Sequence, residues 1–449
     1  MKNIMKACSL ALVSLALLSS PSLAQKSLAT MTGRPDPSSI TGGLGLTWIN
    51  GQEYYLINFA PDLAFGNFGL GLNLNLLIGS SDHKIRKAGF DSTAYDYVRM
   101  IRYLRWGHKG DDVYARVGVL DYSQLGHGFI MYLYNNSPSY DARRLGSEFD
   151  LSFGKYGLET VYSDFGRLGV VGVRAHVNPL RFTSLGSIPV IGGMEFGATW
   201  AGDLRRDSKD ISVDTTGGMV KTLNSGAINI VGADIGFPLV RVPTVSSTLY
   251  FDYAKILTFG SGEALGLQTD FSGMGLLNIF TKFERRFTGE RFIANYFDTF
   301  YELDRYNLAG TVFSSKAQML DNVTIAEPGY FGDLTIAILG KLQIRGMYSK
   351  LDNIDTSGTL HIGTSTGNML PIFIVDAGYD KKYIKNNKDV FTLDERSLLY
   401  ASVGYKPYPF MIVSMLYTWT FVPVVDANGN TSFATQKRVE PKVSMVFPL

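Results

Sequence analysis

Histidine, cysteine and clustered carboxylates are the side chains most often used to hold metals or move protons near neutral pH. The 449-residue sequence offers five histidines, His83, His108, His127, His176 and His361, and one cysteine, Cys8. No two histidines have a metal-ligand spacing, and a lone cysteine gives neither a disulfide framework nor a cysteine-rich zinc site. Gly126-His127-Gly128 is the one local oddity. Its glycines read as backbone devices, with a His–Ser or His–Asp hydrolytic pair as the enzymatic alternative. Asp426-Ala427-Asn428-Gly429-Asn430 opens like a calcium loop, but Thr431 and Lys437 stand where such a loop needs glycine and glutamate. The glycine pairs Gly43/Gly45 and Gly69/Gly71 lack the third glycine of a dinucleotide-binding turn. The expectation is therefore no enzyme, no cofactor and no metal.

What remains is charge set at alternate positions. Arg116, Arg174, Lys282, Arg286, Lys341, Arg345, Arg438 and Lys442 share the polar phase of their segments with His176 and with Glu148, Asp150, Glu195, Asp234, Asp252, Glu284, Asp376, Asp380 and Glu440. Both signs are present, so the set is no one-sign filter. It would either line a wet pore or pair across strands and satisfy an interior. Residues 99–105 break the phase, because Arg99 and Arg105 share one face and Arg102 lies on the other; a bulge, a strand end outside the lipid band or a wrong phase would each account for it.

Charges act together only if an element presents them together, and period-2 alternation does so. Phe68, Leu70, Leu72, Leu74, Leu76 and Ile78 oppose Gly69, Gly71, Asn73 and Asn75. Met411, Val413, Met415, Tyr417, Trp419 and Phe421 oppose Ser414, Thr418 and Thr420. About twenty such segments, most of eight to thirteen residues, run from residue 43 to Phe447. The 332–350 stretch reads as one long strand or as a hairpin turning near Gly340-Lys341. Tight turns such as Asn50-Gly51 and Lys406-Pro407 alternate with longer connections, among them 80–94, 122–146 and 305–331. The 122–146 connection carries His127, Tyr132, Tyr134, Asp141, Arg143 and Arg144. It is either a loop folded inward as a constriction, or an external loop or ordinary strand. In 288–306, Phe292, Tyr296 and Phe300 fit a helix and a strand phase equally well.

Lys2, Lys6, the apolar run Leu10–Leu18 and Ser22-Leu23-Ala24 have the layout of a secretory signal peptide. Its removal after residue 24 leaves 425 residues, takes away the only cysteine and brings the formal charge from +2 to zero. A neutral chain has no basic footprint for nucleic acid. Charged residues are 18% and aromatics 13% of the sequence, too apolar for disorder. No later run of apolar residues is long enough for a membrane helix.

An exported, alternating and aromatic-rich chain reads as one closed antiparallel transmembrane β-barrel over 43–449, preceded by a lead segment, 25–42. Tyr54, Tyr55, Trp106, Trp200, Tyr405, Tyr408, Trp419 and Phe421 would form aromatic girdles. Val443, Met445, Phe447 and Leu449 fall at every second residue, and this end resembles the C-terminal strand of Gram-negative outer-membrane barrels, with Pro448-Leu449 after the aromatic as a departure. The resemblance is to porin-like barrels as a class. At 425 residues an even share of about 24 residues for each strand with its connection gives about 18 strands, within 16–20, and the resemblance places the barrel in the bacterial outer membrane. It also implies lipid as surroundings, insertion through the barrel-assembly machinery by the C-terminal strand, and passive passage of small polar solutes. The other readings are a non-conducting structural or surface-anchor barrel, a soluble secreted β-protein and a barrel enzyme. Small polar residues on the cleanest inner faces favour an open lumen, and segment 25–42 is too short for a plug domain ahead of the first strand. Oligomeric state is left open.

Overall fold

The structure, a computed structural model, describes residues 39–49, 51–86, 97–121, 123–137, 144–214, 219–221, 226–273, 276–309, 312–339, 341–367, 369–394, 396–425 and 431–448. A strand with one apolar and one polar face satisfies its backbone by pairing edge to edge with its like. Among the described residues twenty strands do so antiparallel, each beside its neighbour in the ring, from Ser39–Ile49 and Gln52–Phe65 round to Met411–Val425 and Thr431–Pro448. The last strand then pairs with the first: Thr41 faces Val446 and Trp48 faces Val439. The sheet thereby closes on itself.

The ring has twenty positions where about eighteen were expected. An even share of chain per strand misjudges the four strands Ile101–Trp106, Val113–Gly118, Gly146–Ser152 and Tyr156–Tyr162, which are only six or seven residues long. The 332–350 stretch is a hairpin, Glu327–Ile338 and Leu342–Leu351. A twenty-first segment shares one position, since Phe68–Leu72 and Leu74–Gly79 lie end to end along Gln52–Phe65. The first strand starts at Ser39, within the segment read as a lead. Residues 1–24 lie outside the described residues. Two small hairpins, Ser212–Asp214 with Met219–Lys221 and Tyr306–Ala309 with Val312–Ser315, stand apart from the ring.

The two faces are inverted relative to a soluble sheet. In Leu277–Thr288, Phe283 and Phe287 are 54% and 50% exposed, whereas Lys282 and Glu284 are 2% and 0% exposed. Leu44, Phe59, Leu265, Val403, Met415 and Phe447 also lie exposed on the outside. Apolar outside and charged inside suits a ring standing in lipid. Of the expected girdle, Tyr55, Trp106, Tyr405 and Tyr408 are exposed, but Tyr54 packs with Ile49, Leu56 and Leu77 inside. The side chain of Phe421 lies outside the described residues. The uncertain phase at 99–105 is a bulge: Gly71 faces Tyr103 and Leu72 faces Ile101. Arg102 is thus an extra residue and, like Tyr103, reaches Asp62 on the inner face.

Candidate functional site

The inside of the ring holds two pieces of chain between strands, residues 120–121 with 123–137 and residues 291–305 with 316–320. Ser123 and Tyr134 exchange backbone hydrogen bonds of 2.8 and 3.0 Å, closing the first into a small loop. Gly126 and Gly128, at φ 53° and 93°, make its bend. A Cβ on Gly126 would stand 2.7 Å from Arg174 Nε, and one on Gly128 would stand 2.3 Å from the Tyr132 ring. The glycines flanking His127 therefore serve the backbone. The second piece lies parallel to the first at Met131 and Phe297. The Tyr132 amide donates to the Phe297 carbonyl (3.1 Å), and the Asn295 and Phe297 amides donate to Phe129 and Ile130 (2.8 and 3.2 Å). One helical turn, Tyr301–Asp304, follows.

This inner block has its own apolar core. Leu120, Leu125, Met131, Tyr134, Phe292, Tyr296, Phe297 and Tyr301 are buried together. Their counterparts on the wall are inward-facing Val161, Val170, Ala201, Ile228, Ile230, Ala254, Ile256 and Ala264. Fully burying a large apolar side chain stabilises by roughly 1.5–3 kcal/mol, so the block is a packed unit rather than a loose loop.

Polar groups pin its margins. Asp333 accepts from the Tyr132 hydroxyl and from Arg345, which also donates to the Tyr132 oxygen at 3.0 Å. Lys282 donates to the His127 carbonyl, lies 4.4 Å from the Tyr132 ring centre and pairs with Glu284 at 2.8 Å. Glu284 also accepts from Arg286 (2.6 Å) and the Tyr250 hydroxyl (2.7 Å). Arg174 binds both oxygens of Asp234 (2.7 and 3.0 Å) and reaches Glu159 (2.7 Å) and Glu195 (2.8 Å). Glu159 in turn accepts from the Gly126 amide at 2.8 Å. Asp203 on the wall accepts from Tyr301 (2.7 Å) and lies 2.8 Å from Arg305. Glu302 takes hydrogen bonds from Tyr134 and Arg305 and pairs with Arg144. Burial raises the Glu302 carboxyl, but Arg305 and Arg144 outweigh it and hold its pKa below the usual glutamate value. Burial lowers the His127 imidazole, but Asp252 and Asp234 outweigh it and hold its pKa above the usual histidine value.

The block covers half of the wall. Its contacts fall on ten consecutive strands from Gly146–Ser152 to Leu342–Leu351, with Arg116–Asp121 and Lys382–Asp304 as contacts at the margins. Over the other ten, the inner face carries Gly43, Gly45, Asn58, Gly69, Gly71, Asn75, Tyr400, Ser402 and Ser414, together with the apolar Leu56, Leu77 and Leu416 and the charged Arg105 and Arg116. Lys442 lies 3.5 Å from Asn58 on this side, and Arg438 pairs with Glu440 and donates to Thr47 at 3.1 Å.

The residues singled out in the sequence thus divide. Arg174, His176, Glu195, Asp234, Asp252, Lys282, Glu284, Arg286 and Arg345 stand on the inner face of the covered half, together with His127, Tyr132 and Tyr134 from the loop. Arg116, Asp376, Arg438, Glu440 and Lys442 stand on the inner face of the other half, where Asp376 accepts from Ser365. Lys341 does not face inward: it is exposed in the turn after Ile338, because the hairpin reverses there. Arg144 links Glu302 and Asp164; Asp141 and Arg143 lie outside the described residues, as do 426–430. Sequence reasoning missed Glu159, Asp203 and Asp333. For Glu159 the signal was masked, since Val161 faces inward beside it and Thr160 outward.

A closed ring with an apolar outside and a charged inside is the architecture of an outer-membrane β-barrel. No protein-family model matches the chain, and no curated protein sequence matches it. Similar solved structures include Pseudomonas aeruginosa OccK10 (OpdN), 10% identical over 92% of this chain and 99% of that one with a TM-score of 0.34. Another is P. aeruginosa OccK9 (OpdG), 13% identical over 92% and 98% with a TM-score of 0.33. A third is the P. aeruginosa outer membrane protein OpdK, 11% identical over 92% and 98% with a TM-score of 0.32. At this level the likeness assigns neither a family nor a solute.

Proposed function

We propose that the protein is an outer-membrane, porin-like channel that lets small polar solutes pass through an off-centre lumen. The observation that carries this reading is the uneven cover of the wall: the inner block packs mainly against ten strands, with Arg116 and Lys382 as marginal contacts on two more, and the remaining inner face carries polar side chains beside the small apolar cluster of Ile49, Leu56 and Leu77. Solutes would travel along Asn58, Asn75, Ser402 and Ser414, past Lys442 and the Arg438–Glu440 pair, with the block narrowing the path. The inner residues act as wall rather than as catalysts. The C-terminal strand, at the seam of the ring, is the segment that assembly machinery would engage.

The packed core of the block favours a second reading, a barrel closed by its own inner segments that serves as an anchor. Planar-bilayer recording of the refolded protein separates the two. The channel reading expects discrete conductance steps in the unmodified protein. Silence in the unmodified protein, with steps appearing once Phe297→Ala loosens the block, would establish the closed barrel.

A further inference from the structure

The imidazole of His127 points into a corner of the wall where carboxylates outnumber cations. Asp234 and Asp252 face each other across the paired strands Ile228–Val242 and Val245–Ile256. His127 Nδ1 lies 3.0 Å from Asp252 Oδ1 and 3.9 Å from Asp234 Oδ1. One donor atom from each of the three residues lies within 4.8 Å of the others. Asp252 is only 4% exposed, and its Oδ2 accepts no hydrogen bond from the protein. The three residues border a cavity of about 20 Å³, lined also by Thr199, Gly232 and Ala233, which is room for a single small occupant. Nearby, Glu159, Glu195 and Asp234 share the one guanidinium of Arg174, so negative charge is in excess before Asp252 is counted.

We propose that His127, Asp234 and Asp252 bind one divalent metal ion of the zinc class. One imidazole and two carboxylates form a mixed nitrogen–oxygen donor set that suits Zn²⁺; magnesium and calcium prefer oxygen ligands in larger number. The supporting shell is in place. Arg174 grips both oxygens of Asp234 and fixes that carboxylate. The Tyr250 ring stacks on the imidazole at 4.0 Å with planes 13° apart and fixes its orientation. The ion takes the place of the proton shared between Nδ1 and Asp252 Oδ1, so binding releases that proton to solvent when Nδ1 carries it. Bound metal ties the loop to two wall strands and staples the inner block in position.

The test uses the refolded full chain in detergent, stripped with a chelator and titrated with Zn²⁺ by calorimetry and with Co²⁺ by visible absorption. The expected result is one equivalent bound, weakened tenfold or more by Asp252→Asn and by His127→Gln, and unchanged by the double substitution His83→Ala/His108→Ala. Heat-modifiable gel migration certifies that each variant keeps its barrel. Failure of the unmodified protein to take up one equivalent would overturn the proposal. So would binding that survives both single substitutions, or that disappears with His83 and His108. If neither single variant folds, the Co²⁺ spectrum of the unmodified protein decides: a spectrum equal to that of the aqueous ion overturns it.

Discussion

Asp333 shows how single side chains hold the block. It is fully buried and receives both the Tyr132 hydroxyl and the Arg345 guanidinium. Removing one partner of a buried pair costs about 3–5 kcal/mol, because the other charge stays buried and alone. In Asp333→Asn we expect the Tyr132 amide, which donates to Phe297, to exchange its hydrogen at least tenfold faster, while amides of Val245–Ile256 keep their protection. Equal exchange at Tyr132 would remove Asp333 as an anchor. Glu302 gives a pH dependence. Its carboxyl is held below the usual glutamate value in the folded chain, so its contribution is full above the unfolded pKa and is lost as pH falls through the folded one. The protection factor of the Tyr134 amide, which removes the intrinsic slowing of exchange in acid, should therefore fall on acidification, and Glu302→Gln should flatten that fall. A variant with the same acid response would place the effect elsewhere.

At the scale of elements, the ring and the block rest on different physics. The ring is a ladder of backbone bonds, whereas the block is held by side-chain packing around Phe297, which meets Tyr301 at 4.7 Å and Tyr296 at 5.3 Å. Phe297→Ala should cost about 3–5 kcal/mol through the cavity it leaves. The loss should fall on the block and not on the ring: proteolysis within 123–137 should accelerate while heat-modifiable migration stays unchanged. Loss of the barrel band would show that the two fold as one unit. This difference also governs what could be read from the sequence. Alternation is clearest in 68–78 and 411–421, whose outer faces are apolar and whose inner faces carry Gly, Asn, Ser and Thr with only Leu77, Ile412 and Leu416 among them; their strands were plain. It blurs in Ile228-Asn229-Ile230-Val231, because Ile228 and Ile230 face the block while Val231 faces outward. Small inner residues that favoured an open lumen also occur in the covered half, where Gly172 and Gly232 make room for Leu125 and Ile130 of the block. The inward course of 122–146 was one of two readings, and the 288–306 segment left helix and strand equal, because its partner is a loop more than 150 residues away. No local pattern records that pairing.

For the whole molecule, the inside is lopsided, and conductance should report it. If the uncovered wall is the path, Lys442→Glu, which reverses a charge there, should shift ion selectivity toward cations. Asp352→Asn, in an exposed Arg285 pair on the outside, should leave selectivity alone. Reversal-potential measurements across a salt gradient check this, and equal shifts in both variants would place the path elsewhere. The seam between Ser39–Ile49 and Thr431–Pro448 has a further consequence, for the order of synthesis. Ile40 and Phe447 are partners, so the first strand emerging from the ribosome waits for the last. Until then two unsatisfied edges stand open at opposite ends of a sheet whose outer face is greasy, and each is a template for the wrong neighbour. Closure of this ring therefore waits on the last strand, however early the others pair.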